Sequence, residues 1–130
     1  ESKLKEQVQE LGIEDYVIFT GFRTDIYNLL SQVDFMLHTA LWEGFGFVIA
    51  EAMAVGLPVV STDVSNISEL VIDGRTGYLA ESENPEDIAA KAVKMYEEDR
   101  EQMGQRGKAR VKEYFTFERM VNRIENLIDN

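Results

Sequence analysis

Two glutamates eight residues apart, Glu43 and Glu51, bracket the stretch Trp42-Glu43-Gly44-Phe45-Gly46-Phe47-Val48-Ile49-Ala50-Glu51. Gly44 and Gly46 let the backbone approach a bound group closely. If a helix begins at Phe47, the N–H groups of Phe47, Val48 and Ile49 lack intrahelical acceptors and point towards an anion. Glu51 then sits about one turn into that helix, where its carboxylate could accept hydrogen bonds from vicinal hydroxyls. A carboxylate on ribose hydroxyls beside a phosphate-holding helix start is a known physical solution for nucleotides. Most helix neighbours of Glu51 (Ala50, Ala52, Met53, Ala54) are small or apolar, so it is expected to be partly buried, where an unpaired carboxylate is costly. Spacing alone leaves two readings open: a phosphate or nucleotide site, or an ordinary strand–loop–helix crossing.

The flanking elements must position this loop. Asp34 to Ala40 is nearly continuously apolar and predicts a buried strand. Phe47 to Val55 predicts a helix, with Gly56 as its left-handed stop and Pro58 beyond it. Val59–Thr62 and Tyr78–Ala80 predict further strands, Ile67–Ile72 a short helix, and Asp73-Gly74 with Thr76-Gly77 turns. Upstream, Leu4, Val8 and Leu11 recur at helical spacing before Gly12, and Val17–Phe22 predicts a strand. Ile26 to Val33 predicts a helix capped by Thr24 or Asp25. Helices are expected from Asn84 or Pro85 to Tyr96, from Gln102 to Tyr114 and from Phe117 to Ile128. Alternating strands and helices imply a layered α/β domain, a parallel sheet flanked by helices with its ligand at the carboxyl ends of the strands.

Composition narrows the chemistry further. The chain has 130 residues, with 13 Lys+Arg against 24 Asp+Glu and a net charge of -11. An acidic balance argues against nucleic acid as partner, since few cations are available for its phosphates. It leaves room for a local anion site built from backbone amides. Without cysteine, disulfides, thiolate nucleophiles and Cys-based zinc sites are excluded. A single histidine, His38, excludes a multi-histidine metal site. No apolar stretch approaches the roughly 20 residues that span a bilayer. A phospho-receiver domain is rejected, because it needs a Lys ending a strand and no Lys follows any strand here.

The loop resembles the E-x7-E signature of GT-B fold retaining glycosyltransferases of family 4, in their C-terminal nucleotide-sugar-binding domain. The surrounding order is similar: Phe19-Thr20-Gly21-Phe22, Asp34-Phe35, Glu43-Gly44-Phe45-Gly46, Glu51-Ala52-Met53-Ala54, Gly56-Leu57-Pro58-Val59-Val60, Thr62-Asp63, Glu69 and Asp73-Gly74 through Leu79. It runs from about residue 4 to residue 128. The resemblance implies a donor site for a nucleotide-sugar such as a UDP-, GDP- or ADP-sugar. Glu43 would be the catalytic carboxylate beside the sugar, with the amides of Gly44, Phe45 and Gly46 at its hydroxyls. Phe47, Val48 and Ile49 would offer N–H groups to the diphosphate, and Glu51 would bind the ribose. Gly21, Phe22 and Arg23 would frame the base. No metal and no further cofactor is implied.

Two departures stand out. Thr39-Ala40 replaces a common Pro-Ser, and Ser65-Asn66 replaces a Gly-Gly pair. The family's domain also begins with two strands, carrying a Gly-Arg pair and a Lys, before the position of Glu1. Residues 1–130 are therefore expected to be a partial C-terminal donor-binding domain with its first two strands missing. An acceptor would then be bound by an absent N-terminal domain, and the fragment alone would bind nucleotide weakly without turnover. A rearranged sheet, or a strand-exchanged or other homo-oligomer, is the physical expectation for such a truncation. The resemblance implies a cytoplasmic protein, with peripheral membrane contact left open through the rest of it or through Arg106, Lys108, Arg110 and Lys112. The alternative function is a non-catalytic nucleotide-binding or assembly module of the same fold. His38 is expected to be a packed strand residue without a carboxylate partner.

Overall fold

The computed structural model describes residues 1–116, 118 and 119. Helix α1 (Ser2–Glu10) and a 3-10 turn (Glu14–Tyr16) lead to α2 (Ile26–Leu30), with Asp25 rather than Thr24 at its N-cap. Strand β1 (Met36–His38) precedes α3 (Phe47–Val55), then β2 (Val59–Thr62) and α4 (Ile67–Leu70). Strand β3 (Gly77–Ala80), α5 (Pro85–Glu97) and α6 (Arg100–Tyr114) follow. The helix expected from Phe117 to Ile128 lies outside the described residues.

The three strands form one parallel sheet in the order β1-β2-β3. All four β2 residues are buried, as a central strand with covered faces requires. Its alternation divides the core. Val59 packs with Ile49, Ala52 and Met53 of α3 and with Ile67 and Leu70 of α4. Val60, its neighbour on the opposite face, packs with Tyr78, Met95 of α5 and Met103 of α6. Helix α6 lies directly on the turn that ends α3. A Cβ on Gly104 would stand 1.9 Å from the Gly56 carbonyl oxygen, so only glycine permits this approach.

Helix ends follow the local chemistry. Gly56 takes the left-handed conformation at φ 88° after α3, and Leu57 N–H returns to the Ala52 carbonyl. The Asn84 side chain accepts from Asp87 N–H at 3.1 Å, with Pro85 opening α5. Helix α6 starts two residues earlier than Gln102, because Asp99 accepts the Gln102 N–H at 3.0 Å.

Residues 17–22 do not form the expected strand. Their apolar pattern suits one, but a strand exists only as a ladder, and no strand pairs with them among the described residues. Ile18 and Phe22 are left 86% and 95% exposed. The sheet itself is not rearranged: its three strands run consecutively, and residues 17–22 stay outside it.

Candidate functional site

The carboxyl ends of β1 and β2 and the start of α3 converge on the Glu43–Glu51 loop. Gly46 is the N-cap of α3, at φ 81°, a left-handed backbone that side chains resist. A Cβ there would also stand 2.9 Å from Ile67 Cδ1 and 3.2 Å from Leu70 Cδ1. Conformation and close packing therefore both demand glycine. With no side-chain cap at this end, the first amides of α3 keep their hydrogen-bonding capacity.

The amides divide. Ile49 N–H and Ala50 N–H both donate to the Gly46 carbonyl at 3.0 Å. The expectation that Ile49 offers a free donor is thereby corrected: the left-handed cap swings its own carbonyl under the Ile49 amide. Phe47 and Val48 donate to no backbone carbonyl among the described residues. The Phe47 side chain is 73% exposed and stacks obliquely on Phe45, ring centroids 4.9 Å apart. Phe45 reaches back to Phe115 at 5.9 Å, which braces the loop against the end of α6. Trp42 is exposed.

Glu51, the sole charged residue of α3, is half-buried. It enters none of the ion pairs among the described residues, so its carboxylate is available to a ligand. Glu43 is differently placed. Its Oε1 accepts the Gly44 N–H at 3.0 Å, and its Oε2 lies 3.4 Å from His38 Nε2. His38 was expected to lack a carboxylate partner; the loop after β1 folds back and supplies one. The other ring nitrogen, Nδ1, lies 3.2 Å from Ser61 Oγ. Among the described residues, no group of three His, Cys, Asp or Glu side chains could hold a metal ion.

Sequence reasoning missed Ser61 and Thr62. Both are buried at the carboxyl end of β2, and Thr62 Oγ1 donates to the Ala40 carbonyl at 2.6 Å, tying the loop after β1 to the sheet. The available signal was two hydroxyls ending an otherwise aliphatic strand. Ser65, where the resemblance expects glycine, stands at φ 52°. That explains the expected glycine: the β2–α4 loop needs a left-handed residue, and serine bears the strain.

Residues 21–23 are less firmly placed at the site. The Arg23 guanidinium pairs with Asp25, Nε donating to Oδ1 at 2.8 Å. This pair raises the arginine further and holds the carboxyl below its usual range, chiefly through the hydrogen bonds. No hydrogen bond joins Gly21, Phe22 or Arg23 to the Glu43–Glu51 loop among the described residues. The basic cluster on α6 has a structural duty too, since Arg110 Nε donates to the Leu70 carbonyl at 2.9 Å.

Comparison with known proteins adds three findings. The sequence model of the family described as glycosyl transferases group 1 matches residues 1–110. The chain is 38% identical over 122 residues to N-acetyl-alpha-D-glucosaminyl L-malate synthase of Bacillus anthracis, covering 92% of this chain and 32% of that protein. It is 46% identical over 74 residues to the lipopolysaccharide core biosynthesis mannosyltransferase LpsB of Rhizobium meliloti, covering 57% and 21%. The chain thus spans about a third or less of the length of these curated relatives. Among solved structures, Anabaena HepE in complex with UDP superposes with TM-score 0.91 at 30% identity, over 98% of this chain and 36% of that one. The same protein in complex with UDP and glucose gives 0.88. These likenesses carry the fold, a Rossmann-like arrangement of the GT-B type.

Proposed function

Since this chain belongs to the family of glycosyl transferases group 1, we propose that it is the donor-binding part of a retaining glycosyltransferase that moves a hexosyl unit from a nucleotide-diphosphate sugar to a glycan, lipid or small-molecule acceptor. The observation that carries the reading is the start of α3. There, among the described residues, the Phe47 and Val48 amides have no acceptor and Glu51, one turn along the same helix, has no ion-pair partner. Amides and helix dipole suit a diphosphate without cationic side chains, which reconciles an anionic ligand with an acidic protein. Glu51 accepts from the ribose hydroxyls, and Glu43, with the Gly44, Phe45 and Gly46 backbone, lies beside the sugar. Gly21, Phe22 and Arg23 frame the base in this reading.

The chemistry is positioning and electrostatics. The bond from the sugar's anomeric carbon to the diphosphate breaks while the acceptor hydroxyl oxygen attacks the same face, its proton passing to the departing diphosphate oxygen. The leaving diphosphate carries away the developing charge, and helix-start amides offset it. The chain spans about a third or less of its relatives' length; in this reading the acceptor is bound by an N-terminal domain, and we expect the chain alone to bind nucleotide weakly and to turn over nothing. Within the described residues no helix is long and apolar enough to cross a membrane. The cytoplasmic location that the family resemblance implies, with peripheral membrane contact, is part of this proposal.

Isothermal titration with UDP-, GDP- and ADP-sugars tests the reading. One of the three is expected to bind, and Glu51→Ala to weaken it roughly tenfold to a hundredfold, the worth of a charged acceptor's hydrogen bond to a hydroxyl. If none binds to the unaltered chain, the non-catalytic assembly module takes its place.

A further inference from the structure

His38 ends β1 and is fixed there by the sheet. In the parallel ladder it stands opposite Ser61, and its ring reaches Ser61 Oγ through Nδ1 and Glu43 Oε2 through Nε2. Its side chain is only 13% exposed and that of Glu43 28%, so the contact is partly shielded from solvent. Glu43 therefore has both oxygens engaged: Oε1 by its own loop amide and Oε2 by a residue of the sheet. Each carboxylate oxygen has two lone-pair directions, so a carboxylate anchored in this way still has capacity for a ligand hydroxyl.

Proton placement favours the same arrangement. If the Ser61 hydroxyl donates to Nδ1, the neutral ring carries its proton on Nε2 and donates it to Glu43. The opposite tautomer, with Nδ1–H on Ser61 and the Ser61 hydroxyl turned to the Thr62 carbonyl 3.1 Å away, would set the bare Nε2 lone pair against the carboxylate. The Glu43 carboxylate therefore selects the tautomer whose Nε2–H aims at it. We propose that His38 is a positioning residue that holds the Glu43 carboxylate in register for the sugar of the donor. This role rests on the donor-site reading above and adds to it a division of labour. The amides of α3 and Glu51 recognise the nucleotide, and the Ser61–His38–Glu43 chain recognises the sugar.

The division gives a selective test. The chain is titrated with the free nucleoside diphosphate and with the nucleotide-sugar of whichever base the preceding titrations identify, comparing His38→Leu, His38→Gln, Glu43→Gln and the double variant His38→Leu/Glu43→Gln. His38→Leu leaves Ser61 its bond to Thr62, and a thermal melt checks that folding is intact. Losing one hydrogen bond to a charged group is expected to weaken the nucleotide-sugar about tenfold while the free diphosphate stays within about twofold. His38→Gln, which keeps an N–H donor at similar reach, is expected to recover most of that loss. Adding His38→Leu to Glu43→Gln is expected to cost nothing more.

Equal weakening of both ligands would make His38 a packing residue and overturn the proposal. So would an unchanged nucleotide-sugar affinity, or a His38→Leu effect that persists in the Glu43→Gln background. The donor-site reading fails differently, by the unaltered chain binding neither ligand, and the role of His38 falls with it.

Discussion

The first 45 residues and the segment from Gly46 to Tyr114 contrast in how their apolar side chains are used. None of residues 1–45 is buried, although they include Leu4, Leu11, Ile18, Phe19 and Phe22. From Gly46 onwards Ile49, Leu57, Ile67 and Leu70, with Val59, Val60 and Met95, are buried in two clusters on either side of β2. The difference is one of partners, not of hydrophobicity. β2 has a strand on each side and helices over both faces, whereas residues 17–22 have neither a strand nor a covering layer among the described residues. Burial makes an apolar pattern stabilising at about 25 cal/mol per Å², so the pattern in residues 1–22 contributes little here, while Leu30, Phe35 and Met36 pack against the two clusters from their rim. It follows that cooperative stability resides in the second region together with β1, which pairs with β2.

The hardest way to break the second region is to push α6 off α3. Gly104→Ala places a methyl against the Gly56 carbonyl, backbone against backbone, with no flexible side chain to yield. We expect a loss of at least about 4 kcal/mol, the range reserved for severe steric or core damage. The counterpart in the first region is Gly21→Ala. Gly21 has φ 64° but open space around it, so the cost is the left-handed penalty alone, about 1–2 kcal/mol. Urea unfolding of the two variants measures the gap. Equal losses would mean that residues 1–22 belong to the same cooperative unit as the sheet.

A smaller effect sharpens the same contrast with matched chemistry. Ile49 of α3 is fully buried, whereas Leu4 of α1 is 57% exposed. Ile49→Ala leaves a cavity between α3 and β2 and is expected to cost about 3 kcal/mol, within the usual range for buried aliphatic truncation. Leu4→Ala is expected to stay within about 0.5 kcal/mol, as exposed substitutions do. The thermal midpoints of the two variants are the check. A large effect at Leu4 would show that α1 is covered in solution.

The contrast also marks what was legible in the sequence. Elements whose partners follow within the described chain were readable: α3 with its Gly56 stop, β2 and β3, and α5 with its Asn84 cap all stand where periodicity and capping place them. Val17–Phe22 was not, because local pattern reports a propensity for strand while only a neighbouring strand completes the ladder. Around the candidate site, the placement of Glu43 and Gly46 in one loop and of Phe47, Val48 and Glu51 on the helix that follows was legible, because spacing along one loop and one helix is local information. The engaged Ile49 amide was not, since it depends on the left-handed turn at Gly46. Nor was the His38–Glu43 contact. It needs the path of the loop back over β1, and Ser61 became visible only through the β1–β2 register.

The smallest effect concerns charge within the second region and appears only in alkali. Tyr78 on β3 is buried beside Val60, with the Lys94 ammonium 4.7 Å from its ring centroid. Its phenol is pushed above the ordinary value of 10.0, first by burial and then by the nearby Glu98 carboxylate; Lys94 pulls the other way. The folded chain therefore holds the phenolic proton at a pH where the unfolded chain has released it. Stability from this source is full below about pH 10 and falls as pH rises through and beyond that value. Tyr78→Phe keeps the ring and removes the titration. At pH 8 it is expected to shift stability by no more than about 1 kcal/mol, the phenyl ring being kept, and the unaltered chain is expected to lose stability relative to the variant between pH 9 and pH 11. Urea unfolding across that range measures it. A gap that stays constant would mean that the phenol titrates alike in the folded and unfolded chains, and that β3 is wetter at its centre than the burial of the second region implies.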